Sequence, residues 1–146
     1  NIPIKLVNYL KNKFLFPSSE QYSLLEVVKK GQIDLKVDYS EGLKTYERNI
    51  QHIIDISVSN KIKVVLCTFC MYLYPKIKED PLQNMYQKIV TKENEILKNL
   101  ANKNKLELVD TASLIEKKDS NFVDAFHFTP KGMQLLAQHI ADKINI

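Results

Sequence analysis

The sequence predicts an α/β fold with a parallel sheet, and three observations carry that prediction. Two short apolar, β-branched runs, "IKVVLCTF" (62–69) and "KLELVDTA" (105–112), have strand character. The segments around them repeat their apolar residues at helical spacing. The resulting order of helix, strand, helix, strand, helix is that of a sheet built from parallel crossovers. With 146 residues, the chain has the size of one ordinary domain and enough length to bury a sizeable core.

Residues 1–39 are the least regular part, and residues 40–146 carry the core pattern. Within the first stretch, "PIKLVNYLKNKF" reads as a short amphipathic helix. A second helix is expected over "SSEQYSLLEVVKKG", with Ser18 or Ser19 as its cap and Gly31 as its stop. "QIDLKVDY" fits a loop or a short edge strand. From Ser40 a helix places Leu43, Tyr46, Ile50, Ile53 and Ile54 on one face and ends near Asn60. The strand that follows is apolar enough to be buried on both faces. After the loop "CMYLYPKIKED", a long helix runs from Pro81 to about Lys103. Its stripe is Leu82, Met85, Ile89, Ile96, Leu97 and Leu100, and proline suits the first turn. The second strand leads into one or two helical turns over "SLIEKK". The last helix, "TPKGMQLLAQHIADKINI", has Thr129 as cap and Pro130 at its first position. Met133, Leu136, Ala137, Ile140 and Ile144 are expected to face inward. A parallel sheet covered by helices normally needs about four or five strands. Two strands therefore read as a single α/β domain or as the C-terminal part of one.

Composition narrows the function. Basic residues exceed acidic ones by four, but Arg48 is the only arginine and the lysines are scattered among acids. Nucleic-acid sites favour arginine forks and clustered basic stripes, so no nucleic-acid partner is expected. None of the three glycines, Gly31, Gly42 and Gly132, falls in a phosphate-cradling pattern. No apolar run approaches the roughly 18 residues of a membrane span. The chain begins with Asn1 rather than Met, so its encoded start is expected upstream and no compartment is assigned. Cys67 and Cys70 form a CxxC at the end of a strand, not at a helix N-terminus. They read as buried or half-buried free thiols, not as redox or zinc chemistry. No spacing gathers the three or four ligands that a metal needs.

The stretch "NFVDAFHFTPKG" (121–132) holds the one constellation with chemical potential. An aspartate three residues before a histidine on a tight turn can fold back to accept the imidazole N–H. That contact fixes the tautomer and stabilises the imidazolium formed when histidine takes a proton from a nucleophile. Phe126 and Phe128 flank His127 and are expected to shield the pair from water. The plain alternative is that either residue only caps the next helix. Asp110, at a strand end, could reach the same site, although a cap or turn role suits it better. His52 reads as a boundary residue of its helix, and His139 as solvent-facing.

"VDAFHFTPKGMQLLAQHIADKI" resembles the final block of the SGNH, or GDSL, hydrolase family: Asp-x-x-His, a turn, a glycine and an amphipathic helix. Upstream, "YERNIQHIIDISVSNKIKVVLCTF" and "KNKLELVDTASLI" are similar to family segments in the same order, over about residues 40–144. The resemblance implies a three-layer α/β/α, flavodoxin-like fold. It implies acyl transfer to a serine, with His127 as general base and Asp124 as its orienting partner. The substrate would be an ester, an acyl or acetyl group on a lipid or carbohydrate, and no cofactor would be required. The family's Gly-Asp-Ser and Gly-x-Asn-Asp blocks, which supply nucleophile and oxyanion donors, have no match in the sequence and are expected before Asn1. Two further readings stand beside this one. One is a non-catalytic SGNH-like binding or scaffolding domain. The other is a fragment that associates with its missing N-terminal half or with a second copy.

Overall fold

The computed structural model describes residues 38–73 and 81–144, all within the compact unit Val37–Ile146. The helices expected over 3–14 and 18–31, and most of the stretch 32–39, lie outside the described residues. What is described is an α/β arrangement with the predicted alternation: α1 (Ser40–Ser59), β1 (Val65–Cys67), α2 (Pro81–Asn104), β2 (Glu107–Val109), α3 (Thr111–Leu114) and α4 (Pro130–Ile144).

Leu43, Tyr46, Ile50 and Ile54 recur every three or four residues along α1 and turn inward, with Ile54 only 1% exposed. Ile53, predicted for the same face, points out at 57% exposure. One residue along a helix is a rotation of about 100°, so Ile53 and Ile54 cannot share the centre of one face. Both helices that precede a strand end in the same way. Lys61 and Lys105 adopt left-handed backbone, with φ of 58° and 53°. The next amide then reaches back, Ile62 N–H to Ser57 O at 2.9 Å and Leu106 N–H to Ala101 O at 2.8 Å. This is the Schellman closure, here with lysine where glycine is usual.

The two strands pair in parallel, with Val65 opposite Glu107, Leu66 opposite Leu108 and Cys67 opposite Val109. The Thr68 amide extends the ladder to Val109 O at 3.0 Å. A parallel pair needs a crossover, and α2 supplies it. Its inner face buries Leu97, Leu100 and Ala101, and full burial of one such leucine stabilises by about 2 kcal/mol. The first strand is shorter than predicted and only half-buried along its length. Ile62 (59%) and Phe69 (43%), expected inside, are exposed. Among the described residues β1 has a single partner strand, β2.

Beyond the strand ends a second cluster forms from Cys70, Tyr72, Ile115 and Phe122, with Phe128 and Leu136 packed against it. It seats α4. The Thr129 hydroxyl accepts the Gly132 amide at 3.1 Å and donates to Ser120 O at 2.7 Å, so it caps the helix and ties it to the preceding loop. Gly132 is buried, and a Cβ there would stand 2.1 Å from Asn121 O. That contact fixes the rotation of α4. Leu135, Leu136, His139 and Ile140 follow Gly132 at helical spacing and are half-buried, whereas Met133 and Ala137, predicted inward, are exposed. His139 is thus partly covered instead of solvent-facing. Thr129→Ala is expected to cost about 1 kcal/mol in urea unfolding; an unchanged midpoint would show that the cap contributes nothing. Among the described residues, no helix is long and apolar enough to cross a membrane.

Candidate functional site

The loop between α3 and α4 folds back on itself. The Val123 amide donates to His127 O at 2.7 Å, and Phe122 and Phe128 form an isolated antiparallel bridge. At its tip Asp124 makes an Asx turn: Oδ1 accepts the Phe126 amide at 2.8 Å and the His127 amide at 2.9 Å. The same carboxylate meets His127 Nδ1, at 2.9 Å through Oδ1 and 2.7 Å through Oδ2. The backbone turn therefore holds the carboxylate where the imidazole can donate to it. Burial acts to raise the Asp124 pKa. The Phe126 and His127 amides, the His127 ring and its charge outweigh it and hold the carboxyl below its ordinary value. With Nδ1 engaged, Nε2 is the nitrogen left to exchange a proton. Among the described residues it has no hydrogen-bond partner.

The expected shielding by two phenylalanines is not what the structure has. Phe128 turns inward onto Phe122, with ring centroids 4.7 Å apart. The His127 and Asp124 side chains are 75% and 52% exposed. The loop is instead supported from beneath. Asn121 is fully buried; its side chain donates to Glu116 O at 2.8 Å and its carbonyl accepts the Thr129 amide at 3.0 Å. Tyr72, in the segment after β1, donates its amide to Ala125 O at 3.0 Å and its hydroxyl to Asp119 at 2.7 Å. Its ring lies 5.2 Å from that of Phe122. The sequence offers the aromatics of "MYLYP" (71–75) either as the lining of an acyl or sugar pocket or as core packing. Of these, Tyr72 is buried in the core, while Tyr74 lies outside the described residues. Asn121 was not singled out, because an isolated Asn before an aromatic residue carries no spacing signal.

Asp110 does not join the histidine pair. It accepts from Thr68 Oγ1 at 2.8 Å and from Ser113 Oγ at 2.8 Å, and pairs with Lys98 at 2.7 Å. Thr68 also receives the Ala112 amide at 3.0 Å and accepts the Thr111 hydroxyl through its carbonyl. This knot ties the ends of β1 and β2 to α2 and α3. Burial pushes the Asp110 carboxyl up, but the bonds from Lys98, Thr68 and Ser113 prevail and hold it low. A folded-state pKa below the unfolded one gives stabilisation that is complete above the unfolded carboxylate value of about 4. It is lost as pH falls through the lower folded value. Urea stability is therefore expected to drop below about pH 4, and less steeply in Asp110→Asn. Parallel pH profiles for the two proteins would contradict this.

His52 is exposed on α1. Cys67 and Cys70 are free thiols, the first half-buried and the second buried. Burial pushes both thiols up, the reverse of what a redox or metal-binding pair needs. Among the described residues no group of three His, Cys, Asp or Glu side chains could hold a metal ion.

Comparison with known proteins agrees with the motif reading. The model of a family described as GDSL-like Lipase/Acylhydrolase matches residues 22–140, beginning earlier than the motif resemblance at about residue 40. No curated protein and no solved structure matches the chain.

Proposed function

Because this chain belongs to the GDSL-like lipase/acylhydrolase family, we propose that it carries the histidine and aspartate of a serine ester hydrolase. In this reading His127 is the general base and Asp124 orients it. The observation that carries it is the contact of Asp124 Oδ2 with His127 Nδ1 at 2.7 Å, made by a carboxylate already fixed by two backbone amides. Nε2 takes the proton of the attacking serine and returns it to the leaving alcohol, while Asp124 stabilises the imidazolium between those steps. The acyl-enzyme is then hydrolysed by water activated at the same nitrogen.

The serine belongs to a Gly-Asp-Ser block outside residues 1–146, because no serine of this sequence follows Gly-Asp. The complete domain is a three-layer, flavodoxin-like α/β/α fold in which further strands pair beside β1. The half-buried strand and the outward Ile53, Ile56 and Ile62 support this, since added strands and helices would cover such surfaces. The site then stands beyond the C-terminal strand ends, where open α/β sheets bind ligands. The substrate is a small-molecule ester, an acyl or acetyl group on a lipid or carbohydrate. The competing reading, a binding domain without hydrolysis, draws on the same lack of a Gly-Asp-Ser sequence.

Hydrolysis of p-nitrophenyl acetate by the protein as its gene encodes it separates the two. Asp124→Asn keeps an oxygen for the Phe126 and His127 amides but disturbs the imidazole tautomer. It is expected to lower kcat on the order of 10⁴-fold. No hydrolysis by the unaltered protein would favour the binding domain, and equal rates in the variant would contradict the role given to Asp124.

A further inference from the structure

Beside the Asp124–His127 pair stands an aromatic wall that the proton chemistry does not use. Phe126 lies between the two residues in sequence, and its amide is held by the same Asp124 Oδ1 that contacts the His127 ring. Its ring packs edge-on against Tyr86 of α2 at 5.6 Å and lies 6.4 Å from Phe69. Phe69 follows the C-terminal end of β1 and remains 43% exposed. Its backbone is nevertheless gripped at both ends by one side chain of α2. Its amide donates to Asn94 Oδ1 at 2.7 Å, and its carbonyl accepts from Asn94 Nδ2 at 2.8 Å. An exposed phenylalanine anchored by a two-point amide clamp is a presented surface, ordered before any ligand arrives. Asn is a poor residue for the middle of a helix, and here its amide is spent on holding Phe69.

We propose that Phe69, Phe126 and Tyr86 form an apolar subsite that takes the aliphatic arm of the ester, with the carbonyl end at His127. The assignment of that arm rests on the esterase reading. Two features select an alkyl chain over a sugar. Both ends of the amide that holds Phe69, Asn94, are engaged by backbone, and two of the three rings carry no polar atom. A sugar would instead need convergent hydrogen-bonding groups around the aromatic face. A chain lying along a half-open wall buries roughly half the surface of each methylene. This corresponds to about a twofold gain in affinity per methylene.

The test uses n-alkyl methyl ketones from butyl to octyl, ester isosteres that cannot be hydrolysed and need no serine nucleophile. Binding to the protein is followed by NMR through the ring protons of Phe69, Phe126 and Tyr86. The expected result is an affinity that rises about twofold per methylene, with shifts confined to these rings and His127. Phe69→Gln, polar but of comparable length, is expected to lose most of that dependence, and Phe69→Leu to keep it. Chain-length-independent affinity, equal slopes in the unaltered protein and Phe69→Gln, or shifts elsewhere would overturn the subsite. So would tighter binding of an acetylated sugar at the same rings. Ketone binding with the expected slope in a protein that hydrolyses no ester would sink the esterase reading and leave the subsite standing.

Discussion

His127→Ala is expected to lower ester hydrolysis on the order of 10⁴-fold while leaving the fold almost untouched. The two halves of this expectation have separate causes. The imidazole is 75% exposed, so its removal opens no cavity. Asp124 still accepts the amides of residues 126 and 127, so the Asx turn persists without the ring. An exposed ion pair contributes little, and the stability change should stay within about 0.5 kcal/mol. Under the proposed esterase mechanism, activity, by contrast, loses the imidazole that takes the serine proton. Paired measurements of thermal unfolding and p-nitrophenyl acetate hydrolysis check both halves. A variant that unfolds and loses activity together would mean that His127 is a structural residue.

Gly132→Ala is expected to have the opposite profile, a large loss of stability of about 3 kcal/mol. In an ordinary helix this substitution stabilises by up to about 1 kcal/mol. Here the new methyl would sit 2.1 Å from Asn121 O and 2.9 Å from Phe128 Cδ1, and the first of these is backbone. Asn121 cannot retreat cheaply, because its carbonyl accepts the Thr129 amide and its side chain is bonded to Glu116 O. Either α4 shifts or the loop carrying Asp124 and His127 does. At roughly 4 °C per kcal/mol, Tm should fall by about 12 °C, with hydrolysis impaired as well. An unchanged or higher Tm would show that the contact relaxes freely.

The difference between these two substitutions marks what the sequence could disclose. Elements set by periodicity were legible: α1, α2 and α4 fall where apolar spacing and the Thr129–Pro130 start place them. The three-residue spacing offered the Asp124–His127 contact only beside a capping role, and the family resemblance favoured it; the structure has the contact together with an Asx turn at the same carboxylate. Burial was less legible. Ile62, Phe69 and Met133 are apolar, and whether they are covered depends on neighbours that a single segment does not encode. The Schellman ends at Lys61 and Lys105 lack the glycine that normally announces them. Gly132 was named only as the glycine of the family's final block, and its steric role rests on a loop eleven residues earlier passing within contact. The Asn94 clamp on Phe69, twenty-five residues away in sequence, belongs to the same class of contact that only the fold creates.

The most direct test of the central claim, that His127 activates a serine, is intact mass spectrometry after treatment with a fluorophosphonate probe. The protein is taken as its gene encodes it, beside His127→Ala. A single adduct is expected in the unaltered protein, located by peptide mapping to a Gly-Asp-Ser serine outside residues 1–146, and none in the variant. No adduct, or one that forms equally well without His127, would contradict it.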